Sequence, residues 1–158
     1  MRSEASPLRP LANHDSPRGS GFRVPAEWEQ HRAVWTAWPA AADLWQDELG
    51  AAQVEFTALC RAIAGADDPS SSAPACELLE VLVVDDEAER DATAALAGLP
   101  VRFHRIPYGD IWLRDTAPVY SRSDSGEVAA VCFRFNGWGE KYLFAPDLAL
   151  ARAVRQRE

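Results

Sequence analysis

The sequence predicts a mixed α/β fold, and three observations carry that reading. Leu78–Val84 (LLEVLVV) is an almost unbroken apolar run, as expected of a strand buried on both faces. A helical pattern follows it, opened by Asp85 or Asp86 with acidic residues in the first turn and closed by Gly98. Val101–Ile106 (VRFHRI) then alternates as a second strand, so the order strand, helix, strand is that of a βαβ unit.

The remaining elements follow from the same arguments. The first 21 residues, MRSEASPLRPLANHDSPRGSG, are rich in Ser, Pro and Arg and poor in large apolar groups. They cannot recover the entropy cost of being ordered, so a flexible leader is expected there. Order begins at RVPAEWEQH, and Ala33–Trp38 (AVWTAW) reads as a short buried strand ended by Pro39. From about Leu44 to Ala64 the apolar residues Leu49, Ala52, Phe56, Leu59, Cys60 and Ile63 share one helical face, with Gly65 as the C-cap. Asp67–Ala75 (DDPSSSAPA) is a loop of turn formers. Later, Ala117–Ser121 and Val128–Phe135 read as strands joined through RSDSGE as a hairpin. A glycine-containing loop, FNGWGEKY, precedes a helix from Asp147 onward. That helix is still in register at Glu158 without a breaker, so the chain is expected to be truncated.

Composition bounds the function. A chain of 158 residues, 47% apolar and 25% charged, is long enough to bury a core as one domain. Its net charge of −8 argues against nucleic-acid or anionic-membrane partners, which demand clustered Lys and Arg, and is compatible with a cationic ligand. No apolar run approaches the ~20 residues of a membrane span, and the N-terminus lacks a signal-peptide core. A cytoplasmic protein is the expectation. Cys60, Cys76 and Cys132 are odd in number and contain no CxxC spacing, so reduced thiols are expected rather than disulfides or a zinc site.

The chemistry concentrates in Tyr108–Tyr120, YGDIWLRDTAPVY. Asp110, Arg114 and Asp115 can form a structural salt-bridged turn, because Arg forks onto carboxylates. Equally, a carboxylate beside Trp112 can grip a guanidinium by paired hydrogen bonds while the indole stacks on its face. The residues alone leave both open. PAEWEQH offers Glu27, Glu29 and His31 around a half-buried Trp28, with His31 more often structural than catalytic at a strand start. His104, in mid-strand, reads as structural too. FNGWG lacks the spacing of a phosphate loop; its glycines permit a tight turn that sets Trp138 on a pocket wall or in the core.

Taken together and in order, PAEWEQHRAVWTAWP, YGDIWLRDTAPVY and FRFNGWGEKY resemble the agmatine deiminase family, also called the Porphyromonas-type peptidyl-arginine deiminase family. The three motifs span Val24 to Tyr142. The resemblance implies a pentein fold, a propeller of five ββαβ-like units of which this chain would supply about two, over residues 22–158. It implies hydrolysis of a guanidinium: agmatine to N-carbamoylputrescine and ammonia, or peptidyl-arginine to citrulline. In such enzymes a cysteine thiolate attacks the guanidinium carbon, ammonia leaves, and water hydrolyses the amidino-cysteine, while a histidine moves protons and two aspartates hold the substrate. Neither cofactor nor metal is implied.

Matched to the motifs, Asp115 would be the first substrate-holding aspartate, Trp112 would stack near the guanidinium, and Asp110 and Arg114 would brace the turn. Asn136, Trp138, Glu27 and Trp28 are further pocket candidates. Position 117 is Ala where the family usually reads RDTGP, and position 140 is Glu where it often reads NGWGGKY. A side chain at 117 is tolerable unless the backbone there needs a positive φ. The His-x-Asp motif and nucleophilic cysteine of the family lie beyond the matched motifs. None of the three cysteines corresponds to that nucleophile, and Cys132, read as an inward strand residue, should be inert. The chain alone is therefore expected to be inactive. A second reading makes it a non-catalytic module that self-associates or pairs with the missing C-terminal part through open sheet edges.

Overall fold

A computed structural model describes residues 16–29, 31–65 and 77–157. It is a mixed α/β structure with two three-stranded sheets, and it divides into two compact units. Most of the expected leader and the whole of the expected loop at Asp67–Ala75 lie outside the described residues, as does Cys76.

The unit covering residues 30–113 is contiguous in sequence. Its sheet has the order β2-β3-β4, all parallel, from β2 (Ala33–Ala37), β3 (Leu78–Val83) and β4 (Val101–Arg105). These are the three strands read from the sequence, each within a residue or two of the expected ends. The connection from β2 to β3 is more broken than expected. A short helix α1 (Ala42–Trp45) and a 3₁₀ turn (Gln46–Glu48) precede α2 (Leu49–Ile63), which ends at Gly65 with φ 64°. α3 (Asp86–Ala95) joins β3 to β4, and the Asp85 side chain caps it by accepting from the Ala88 N–H at 2.8 Å.

Alternation along β3 decides which face meets the helices. Leu79, Val81 and Val83 join Phe56, Cys60 and Ala64 of the α2 region and Ala88, Ala92 and Leu96 of the α3 region in one buried cluster. Leu59, expected on the buried face of α2, is more than half exposed, because it lies at the edge of that stripe. The other face of β3 carries Glu80, which is buried within an apolar strand. Its carboxylate is held by His104 at 2.5 Å and Arg102 at 3.0 Å, both on the neighbouring β4. Trp35 of β2 stacks on His104, ring centroids 4.6 Å apart. His104 is thus the structural histidine the sequence suggests.

The second unit takes residues up to 29 and from 114 onward. Its sheet, β1-β5-β6, is antiparallel, from β1 (Phe22–Arg23), β5 (Val119–Ser123) and β6 (Val128–Val131). The hairpin is the expected one, with Gly126 at φ 88° in its turn, but β5 sits two residues later than read. β6 stops at Val131, so Cys132 through Phe135 lie outside the strand, contrary to expectation. α6 (Ala145–Arg155) begins two residues before Asp147 and buries Leu150, Ala151 and Val154. No helix among the described residues is long and apolar enough to cross a membrane.

Candidate functional site

The central motif is anchored from both sides. Tyr108 is buried, donates its hydroxyl to the Trp38 carbonyl at 2.5 Å, and has its phenol pushed well up by that burial. Asp110 accepts from the Trp45 indole N–H at 3.0 Å, which ties the motif to α1. Trp112 is 51% exposed. The one-turn α4 (Leu113–Thr116) then buries Leu113 and Thr116 and leaves Arg114 and Asp115 in solvent.

Arg114 and Asp110 therefore have partners other than the salt-bridged turn, one of the two readings the residues alone left open. Arg114 donates to Glu27 Oε1 at 2.8 Å, joining the first motif to the second, with both side chains more than three-quarters exposed. Such an exposed pair is worth at most about 1 kcal/mol, so its role is to orient rather than to stabilise. Asp115 is exposed, and no hydrogen bond or ion pair to another described residue engages its carboxylate. Ala117 has no positive φ, so the departure from glycine there is tolerated.

In the first motif, Glu29 receives both Nη atoms of Arg23 at 2.7 and 3.1 Å and the Ala26 N–H at 3.0 Å. These bonds, the Arg23 fork first, hold its carboxyl down at about 2. Trp28, expected to be half-buried, is 90% exposed: the turn that secures Glu29 points the indole outward. His31 Nδ1 lies 3.3 Å from Glu77 Oε1, a surface contact consistent with the structural reading.

The FNGWGEKY loop takes a form the sequence does not announce. Gly137, Trp138, Gly139 and Glu140 have φ of 62°, 53°, 80° and 66°, so α5 (Gly137–Glu140) is a turn of left-handed backbone. Asn136 caps it by accepting from the Gly139 N–H at 3.1 Å, and Glu140 N–H reaches the Asn136 carbonyl at 2.7 Å. Only glycine fits at 137, where an added Cβ would lie 2.3 Å from the Tyr142 carbonyl oxygen. Trp138, 46% exposed, is edge-on to Phe135 and Tyr142 at 5.2 and 6.1 Å, and is thus not a core residue.

Beside this turn lies a cavity of about 780 Å³, lined among others by Cys132, Arg134, Asn136, Glu140 and Arg152. The sequence reading passed over Arg134 and Arg152. The signal available for Arg134 was its place between Phe133 and Phe135 in an alternating stretch; for Arg152 there was none. The Cys132 thiol is half-buried and donates to the Ala151 carbonyl at 3.6 Å, an acceptor that cannot remove its proton. Cys60 is fully buried, and burial pushes its thiol up to about 11. Among the described residues no group of three His, Cys, Asp or Glu could hold a metal ion.

An exposed aspartate, unpaired among the described residues, on a one-turn helix in a mixed α/β framework defines a candidate carboxylate clamp for a cation. Residues 23–158 match the model of the Porphyromonas-type peptidyl-arginine deiminase family, and the chain belongs to that family. It is 36% identical over 148 residues to the agmatine deiminase of Pseudomonas aeruginosa (strain LESB58), covering 90% of this chain and 37% of that protein. An X-ray structure of a structural-genomics target provisionally named an agmatine deiminase superposes with a TM-score of 0.75 at 26% identity. That match covers 90% of this chain and 39% of the other. A cysteine-to-serine variant of the C. jejuni agmatine deiminase, solved with substrate bound, shares the fold at a TM-score of 0.69 and 16% identity, over 87% of this chain and 37% of that one. The chain thus spans little more than a third of the length of the curated relatives it matches.

Proposed function

We propose that this chain is the N-terminal part, about two of five ββαβ-like units, of a pentein deiminase that hydrolyses agmatine to N-carbamoylputrescine and ammonia, and that Asp115 is one of its guanidinium clamps. The observation that carries the reading is the Asp115 carboxylate, exposed on α4 with neither oxygen engaged by another described residue. A guanidinium is a poor electrophile because its charge is delocalised. Paired hydrogen bonds from a fixed carboxylate orient its plane for attack from above. Leu113 and Thr116, buried on either side, fix the direction in which Asp115 leaves the backbone.

Other motif residues have supporting parts. Glu27 holds Arg114 and so steadies the residue next to Asp115. Asp110 secures its own segment through Trp45. Trp112 and Trp138 are the indoles offered for stacking, Asn136 shapes the left-handed turn, and Trp28 is offered to whatever covers it. Agmatine is favoured over peptidyl-arginine because relatives named agmatine deiminase match at 36% identity.

The chemistry requires a thiolate with a proton acceptor beside it. Cys60 is buried with its thiol raised, Cys132 faces a backbone carbonyl, and Cys76, like them, does not match the family's nucleophile by its place in the sequence. The 158-residue chain incubated with agmatine is therefore expected to release no N-carbamoylputrescine. Calorimetric titration should nonetheless detect weak agmatine binding that Asp115→Ala abolishes and Asp115→Asn weakens. Binding unchanged in Asp115→Ala, or product release that depends on Asp115, would overturn the assignment.

A further inference from the structure

We propose that the cavity beside the left-handed turn is a binding site for a small monocarboxylate with an apolar body, separate from the Asp115 clamp. Asp115 does not line it. Its volume, about 780 Å³, lies within the range of ligand pockets. Its walls are partly aromatic and aliphatic, from Phe133 and Leu148 among others, and it is lined by the charged residues Arg134, Arg152 and Glu140.

The charges select the ligand. Neither Arg134 nor Arg152 makes an ion pair with another described residue, so two guanidiniums from different elements, the segment after β6 and helix α6, line one concavity. Two like charges lining one concavity add their fields there and raise the local concentration of an anion. Glu140 opposes them with one negative charge, leaving a net of one positive. A single carboxylate neutralises that balance; a dicarboxylate would meet Glu140, and a guanidinium or amine would meet the two arginines. Bidentate geometry suits the arginine fork to a carboxylate oxygen pair. The apolar walls take the rest of the molecule.

The test uses the 158-residue chain and phenylacetate, with its neutral analogue phenylacetamide and the cation phenethylamine as comparisons. Calorimetry should find phenylacetate bound, phenylacetamide about tenfold weaker or worse, and phenethylamine unbound. The Arg134→Gln, Arg152→Gln double variant, altering two exposed side chains without ion-pair partners among the described residues, should keep its melting temperature and lose about tenfold in phenylacetate affinity. Glu140→Gln should bind phenylacetate more tightly. An independent readout is the thiol at the cavity wall: in a Cys76→Ser background, phenylacetate should slow alkylation of Cys132 by iodoacetamide, Cys60 being fully buried. Equal affinity for acid and amide would reduce the site to a greasy cleft and overturn the proposal. So would the absence of both heat and Cys132 protection up to the solubility limit of phenylacetate.

Discussion

Glu140 holds a left-handed backbone conformation that costs an L-residue roughly 1–2 kcal/mol relative to the right-handed well. Glycine carries no such cost but loses more freedom on folding, which takes back about 0.4–1 kcal/mol. The first effect is the larger, so Glu140→Gly should raise stability by a few tenths to about 1 kcal/mol in urea unfolding. Gly137→Ala should do the opposite, by roughly 1–3 kcal/mol, since its Cβ would collide with a carbonyl oxygen that belongs to the backbone. Glu29 offers a pH test. Its folded value of about 2 lies below its ordinary 4.5, so the Arg23 pairing contributes fully above pH 4.5 and fades as the pH falls toward 2. In an NMR titration the Glu29 carboxyl should titrate far below its ordinary 4.5, and Arg23→Gln should return it upward. Of the residues singled out by sequence, Asp110 and Arg114 are tied to Trp45 and Glu27, partners far away in the chain. No local pattern could announce those pairings, because hydrogen bonds at long sequence separation leave no periodic trace.

At the scale of the elements, the parallel sheet was legible because β3 is apolar on both faces and its flanking helix carries caps at both ends. Asp85 is the clearest of these caps, and Asp85→Ala should cost about 1 kcal/mol by freeing the Ala88 N–H. Glu80 was hidden by its own strand: one carboxylate among five apolar strand-mates reads as noise. Its meaning lies in the parity of Arg102 and His104 on β4, which puts both on the face that Glu80 uses. Glu80→Ala should cost about 1–3 kcal/mol, the penalty of an unsatisfied buried group. β1 was missed for a simpler reason. Two residues give no alternation, and the strand exists only because β5 accepts it.

On the scale of the whole molecule, residues 30–113 form one contiguous unit whose sheet and both covering helices share a single buried cluster. A polypeptide of residues 30–113 should therefore fold alone, with dispersed amide resonances and cooperative unfolding; a collapsed, undispersed spectrum would show that the unit is not autonomous. The other unit is discontinuous, and β1 finds its partner only after this segment has been made. Phe22 pairs with Ser123, about a hundred residues later. At the roughly 5–20 residues per second of protein synthesis, that strand waits on the order of 5–20 seconds for its neighbour, while the intervening unit can already have closed. The order of emergence from the ribosome thus protects the contiguous unit first, and leaves the N-terminal motif with Glu27 and Trp28 waiting until Arg114 and β5 have been made.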